Sequence, residues 1–160
     1  MVGGTAEEYW TAAEYHETDL DLCAIVRAED EQVMQRLGFR RVGRHWEHGA
    51  AGVAVEFPAS RIDEDETRTV AVSVESGTAR IIGLDDLYLD RLRQATMSQH
   101  EGVEFHSALA VVAARYGDID WAYVADRIAQ IAEKEGPVGD SMKKIDSLLR
   151  SRVRRALTSE

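Results

Sequence analysis

The order of two hydrophobic periods along the chain constrains its fold more than any other feature. Short, partly alternating apolar segments dominate up to about residue 82, and segments with apolar residues three and four apart follow. Strands are expected over Thr18–Val26, Phe39–Glu47, Val53–Phe57, Thr69–Glu75 and Thr78–Ile82. Helices are expected over Thr5–Glu14 and Glu29–Leu37, the second with Val33, Met34 and Leu37 facing inward and Gly38 as its stop. Pro58 is expected to end its strand, and the acidic stretch 59–68 to be a surface loop. Further helices start at Asp85 or Asp86 and cover Val103–Arg115, Trp121–Glu135 and Asp140–Leu157. Strands first and helices after indicate an α+β fold with a helical C-terminal part. Gly136-Pro137-Val138-Gly139 is the one plausible linker, so the reading divides the chain into 1–135 and 136–160.

Composition removes several classes. With 160 residues and 44% hydrophobic content the chain can build a core. One Cys excludes a disulfide framework and any cysteine-based zinc cluster. No apolar run approaches the roughly 20 residues that span a bilayer, and the opening residues show no charged-then-apolar leader pattern, so no membrane association and a cytoplasmic location are expected. The formal net charge of −10 argues against a basic nucleic-acid footprint over the whole chain. The charge is uneven, however: residues 140–160 hold six basic and three acidic groups, a net +3, which leaves −13 for the rest. Such a helix could meet RNA, DNA or an acidic partner, or simply dock on its own acidic body.

The chemistry, if any, lies in carboxylates. In Thr18-Asp19-Leu20-Asp21-Leu22 the two Asp side chains share one strand face, about 7 Å apart along it. Paired carboxylates repel, and a hard cation such as Mg²⁺ relieves that cost. Glu56, in Val53-Ala54-Val55-Glu56-Phe57, faces away from its apolar neighbours, as a ligand or proton acceptor would, or as a solvent-facing edge residue would. Gly3-Gly4-Thr5 precedes a helical pattern, where backbone N–H groups favour phosphate and Thr5 adds a hydroxyl or a cap. Only Met1 and Val2 would form a strand before this turn. An upstream strand and helix of the same domain are therefore expected to be missing from the chain, an ordinary flexible start being the alternative. A phosphate turn, two carboxylates on one strand and a third on a later strand are the equipment of two-metal nucleotidyl transfer.

The segments Val2-Gly3-Gly4-Thr5-Ala6, Tyr9, Tyr15 and Thr18-Asp19-Leu20-Asp21 resemble the minimal nucleotidyltransferase (DNA polymerase β-like) superfamily, and its AbiE-type toxin members in particular. Leu37-Gly38-Phe39, Ile82-Gly83-Leu84-Asp85-Asp86-Leu87 and Asp90-Arg91-Leu92 extend the resemblance over roughly residues 1–130. It implies a nucleotidyltransferase-like mixed sheet flanked by helices, with a nucleoside triphosphate and Mg²⁺ in a cleft. Gly3, Gly4 and Thr5 would hold the phosphates, and Asp19, Asp21 and Glu56 would be the catalytic, metal-binding acids. The acceptor would be a hydroxyl of RNA, protein or a small molecule. The family also contains inactive members that serve as partners or antitoxins, which implies instead a protein partner encoded nearby.

Other residues carry blander expectations. His16 is expected in a turn, His45 and His48 lack a third zinc ligand, and His100 and His106 fall on different helix faces. Trp10, Trp46 and Trp121 read as packing residues and Cys23 as a small apolar one. Arg40, Arg41 and Arg44 could meet a triphosphate or an RNA backbone, and a solvated strand edge explains them equally well.

Overall fold

Met1 and Val2 are extended and tie two parts of the sheet region together. Val2 N–H donates to Asp21 O (2.9 Å), and Ile82 N–H donates to Met1 O (3.0 Å). Met1 and Val2 thus form the brief strand-like lead-in expected before the Gly pair. The computed structural model describes residues 1–12, 19–62, 65–75, 77–98 and 102–159. Thr18, Tyr15, His16, Ser76 and His100 lie outside these. The described chain divides into two units, Met1–Gly83 and Leu84–Glu160.

The first unit opens with helix α1 (Gly3–Thr11), which buries Ala6 and stops at Ala12 in the left-handed region (φ 48°). Trp10 Nε1 donates to Ile82 O (2.9 Å), so this tryptophan is a packing residue, as expected. Strand β1 (Asp19–Cys23) follows, then helix α2 (Ala28–Arg36). Asp30 accepts from Arg27 N–H at the α2 N-terminus (2.9 Å). Gly38 N–H to Gln35 O and Phe39 N–H to Met34 O (each 3.0 Å) close its C-terminus as a Schellman motif, with Gly38 at φ 90°. The inward face expected for α2 is not found. The helix buries no residue, and Val33 and Leu37 are 42% and 60% exposed.

The strand expected over Phe39–Glu47 is two strands, β2 (Arg40–Val42) and β3 (His45–His48). Gly43, at φ 62°, and Arg44 form the two-residue turn of a hairpin in which Val42 faces His45. Strand β4 (Val53–Ala59) runs on through Pro58. Between the pairs Asp21↔Glu56 and Cys23↔Ala59 the β4 strand spends one residue more than β1. In that bulge Pro58's missing N–H costs no ladder hydrogen bond. The sheet order is β1-β4-β3-β2, with β1·β4 parallel and the other pairs antiparallel, so the sheet is mixed. Strands β5 (Val70–Val74) and β6 (Gly77–Ile81) form a separate antiparallel hairpin after a short 3-10 turn at Glu66–Arg68.

The second unit is helical: α3 (Leu84–Met97), α4 (Val103–Arg115), α5 (Trp121–Glu135) and α6 (Pro137–Leu157). Helix α3 packs on the other three and is buried nearly all round in its first two turns. Leu87, Tyr88, Leu92, Val111, Val112, Val124, Met142 and Leu149 are fully buried, each apolar side chain contributing roughly 1.5–3 kcal/mol. Two polar groups inside this core are matched by partners: Tyr123 OH donates to Asp86 Oδ1 (2.6 Å), and Asp120 N–H donates to Asp85 Oδ1 (2.8 Å). The Gly136-Pro137 segment expected as a linker is the turn between α5 and α6. Gly136 sits at φ 47° with its N–H on Ala132 O (2.9 Å), and Pro137 opens α6. Contacts divide the described chain at Gly83–Leu84.

Candidate functional site

Register decides which side chains meet. Across the sheet, Asp21 pairs with Glu56, Glu56 with His45, and His45 with Val42. The next row on the same face runs Asp19, Ala54, Glu47, Arg40. The intervening row, on the opposite face, runs Leu20, Val55, Trp46, Arg41. Trp46 and Val55 are buried, and the Arg41 guanidinium lies 5.9 Å from the Trp46 ring centroid. One face of β1·β4·β3 is thus apolar and covered. The other concentrates Asp19, Asp21, Glu47 and Glu56, with Arg40, Arg44 and His45 among them. The shared face of Asp19 and Asp21 and the opposed orientation of Glu56 to Val55 agree with the alternation read from the sequence.

The start of α1 lies against this face. A β-carbon built on Gly3 would stand 1.9 Å from Asp21 Oδ2, so the Gly3 backbone and the Asp21 carboxylate are in direct contact. The N-terminal end of a helix is its positive end, which suits a carboxylate there. Thr5 Oγ1 donates to Asp19 O (2.8 Å), tying α1 to β1 through the backbone of the Asp pair. Gly4 occupies the first turn of α1, between the two.

On the β3 side, Arg44 Nε lies 2.9 Å from Glu56 Oε1. His45 Nε2 is 3.3 Å from Glu47 Oε1, and Arg40 Nη2 is 3.5 Å from Glu47 Oε2. Arg44 was not expected against Glu56, nor His45 and Glu47 across β4 from the Asp pair. The signal was Gly43, a glycine inside a strand-like run, which folds β3 back and sets the register.

An all-carboxylate donor set fits a hard cation such as Mg²⁺ in kind. Among the described residues, no group of three or more His, Cys, Asp or Glu side chains is gathered to hold a metal ion. Asp21 closes on Gly3 and Glu56 on Arg44. The structure brings Gly3, Asp21 and Glu56 onto one stretch of surface without converging Asp19, Asp21 and Glu56 on a point.

The other charged features of the sequence are spent on packing. Arg91 is buried on α3, donating to Gln94 Oε1 (2.9 Å), while Gln94 donates to Asp90 Oδ2 (2.9 Å). In α6, Arg150 lies over the Trp121 ring (4.4 Å) and Arg152 over Phe105 (5.2 Å). Arg154 lies over Tyr116 and donates to its hydroxyl. Half of the basic groups of 140–160 thus lie over aromatic rings of their own unit. Among the described residues, no helix is long and apolar enough to cross a membrane. No family model matches the chain, and comparisons with curated proteins and with solved structures also find no match.

Proposed function

We propose that this chain is a Mg²⁺-dependent nucleotidyltransferase that moves a nucleoside monophosphate from a nucleoside triphosphate to a hydroxyl of RNA, protein or a small molecule. The observation that carries the reading is the placement of Asp19, Asp21 and Glu56 on one sheet face with the α1 N-terminus against Asp21. The resemblance of Gly3-Gly4 and Asp19-Leu20-Asp21 to the minimal nucleotidyltransferases supports it. Asp19, Asp21 and Glu56 would hold Mg²⁺, which supplies charge neutralisation for a triphosphate and lowers the pKa of an attacking hydroxyl. Backbone N–H groups of Gly3, Gly4 and Thr5 would face the phosphates, using donors that a helix start leaves unpaired. Trp46 and Val55 are buried on the opposite face of the same strands.

The test is the thermal midpoint of the full chain with Mg²⁺ and each of ATP, CTP, GTP and UTP, in wild type and in Asp19→Asn/Asp21→Asn. A nucleotide at 100 times its dissociation constant adds about 2.7 kcal/mol, a shift of several degrees. A shift that needs both Mg²⁺ and the Asp pair supports the reading. No shift with any nucleotide overturns it.

A second reading has its own observation. The uncovered apolar side chains of α2, Val33 and Leu37, favour a nucleotidyltransferase-like protein that binds a protein partner in a toxin–antitoxin type system. It predicts a stable complex whose formation is indifferent to Asp19→Asn/Asp21→Asn.

A further inference from the structure

One face of helix α2 complements itself. Glu29, Val33, Arg36 and Leu37 stand at i, i+4, i+7 and i+8, positions that a helix gathers within about 100° of arc. All four are exposed. The half-buried Glu31 and Met34 lie on the other side of the helix, where Glu31 Oε1 meets Arg41 Nη1 of β2 at 2.6 Å. An apolar pair such as Val33 and Leu37 would by itself accept many partners. The charges narrow the choice, because the face has an acid at its N-terminal end, a base at its C-terminal end and Val33 between them.

A second copy of α2, turned antiparallel about a two-fold axis level with Val33, matches this order. Glu29 of each copy then comes level with Arg36 of the other, Val33 meets Val33 at the axis, and Leu37 lies over Ala28. The antiparallel direction also sets opposite ends of the two helix dipoles side by side. A partner face of one sign of charge would instead leave either Glu29 or Arg36 against its like.

We propose that α2 is a self-association face: two copies of this chain pack α2 on α2, antiparallel, through Val33 and Leu37 and two reciprocal Glu29–Arg36 ion pairs. The proposal is independent of the nucleotidyltransferase reading. Glu29 is free to turn to a second copy, since its contact with Arg27 spans 4.0 Å between side chains that are 69% and 71% exposed, and such a pair holds little energy. A nine-residue helix is only about 13 Å long. The interface therefore falls short of the roughly 1,200 Å² at which stable complexes begin, and the dimer is a weak one that forms and parts with concentration.

The experiment is sedimentation equilibrium of the full chain over a wide range of concentration. It compares wild type, Glu29→Arg, Arg36→Glu, an equimolar mixture of those two variants, and Val33→Asp, with the thermal midpoint of each confirming that it folds. Both reversed positions are exposed, so neither reversal removes a packing contact. Wild type is expected to show a monomer–dimer equilibrium that weakens as salt rises. Each charge reversal alone sets like charges together at both ends of the helix pair and weakens dimerisation about tenfold. The mixture recovers near wild-type association, since in a mixed pair every cation again faces an anion. Val33→Asp removes the dimer. A wild type that stays monomeric at every concentration overturns the proposal and leaves this face of α2 to a different protein. So does a dimer that neither reversal weakens, or a mixture that associates no more than its two components.

Discussion

Gly3 and Asp21 touch so closely that no side chain fits between them: a β-carbon on Gly3 would lie 1.9 Å from Asp21 Oδ2 and 2.8 Å from Asp21 Cγ. Gly3 also holds φ at 64°, where an L side chain meets its own backbone. Gly3→Ala therefore adds about 1–2 kcal/mol of backbone strain and must also push the Asp21 carboxylate aside. Its thermal midpoint is expected to fall by several degrees, and any Mg²⁺-dependent nucleotide shift to disappear with it. Gly4→Ala, at a neighbouring helical position outside the positive-φ set, provides the comparison and is expected to hold or raise the midpoint, Ala being the better helix residue by up to about 1 kcal/mol.

A second glycine gives an opposite sign from the one propensity suggests. Ala in place of Gly inside a helix normally gains about 0.5–1 kcal/mol. Gly139 lies in α6 where an added β-carbon would stand 2.4 Å from both Cα and N of Ala132 in α5. That is backbone, which cannot rotate away as a side-chain tip can. Gly139→Ala is expected to destabilise by about 1–3 kcal/mol, as overpacking does. Urea unfolding of the full chain, followed by helical circular dichroism, measures it; a gain in stability would show that α5 and α6 are not packed this closely.

The third prediction concerns pH. Tyr88 is fully buried and donates to Asp146 Oδ1 (2.9 Å), while Arg150 Nη1 lies 3.4 Å from Asp146 Oδ2. Burial first, and the Asp146 charge second, raise the Tyr88 pKa well above the usual phenol value, with Arg150 opposing them. A group whose folded pKa is raised stabilises the fold fully below its unfolded pKa, about 10 for tyrosine, and loses that contribution as pH climbs above it. Stability of the helical unit is therefore expected to fall above about pH 10 by up to roughly 1.4 kcal/mol per pH unit from this one proton. Tyr88→Phe should cost about 0.5–1.5 kcal/mol at pH 7 through the lost hydrogen bond and show a shallower alkaline decline. Urea melts of both proteins between pH 8 and 11 measure the difference. Parallel pH profiles would mean that Tyr88 ionises in the folded state as readily as in the unfolded chain.

Local signals and long-range ones separate cleanly along this chain. Helices α4 and α5 begin and end where their periodicity says, because a helix pairs each N–H with a carbonyl four residues away and its sequence contains both partners. Gly38 ends α2 as read, since a Schellman motif needs only the six residues that carry it. The common face of Asp19 and Asp21 was legible for the same reason, strand alternation being a property of one segment.

What depended on a second strand was not legible. Pro58 normally closes a strand, yet β4 continues through it because a bulge against β1 relieves it of donating, and the bulge exists only in the pair. Gly43 splits one expected strand into β2 and β3, and only the resulting register sets His45 beside Glu56 and brings Arg44 onto it. The apolar residues of α2 carried an inward pattern, but a pattern states which side chains share a face and not what lies opposite.

The sequence by itself determined the α+β class, most of the element order, the alternation of the Asp pair and the glycine at the α1 start, because each is written in neighbouring residues. Only the tertiary structure decided that Asp21 closes on Gly3, that Glu56 is matched by Arg44 and that three arginines of α6 stack on rings of their own unit. Those contacts join residues many positions apart. Their geometry follows from strand register and helix packing, quantities that no local window of sequence contains.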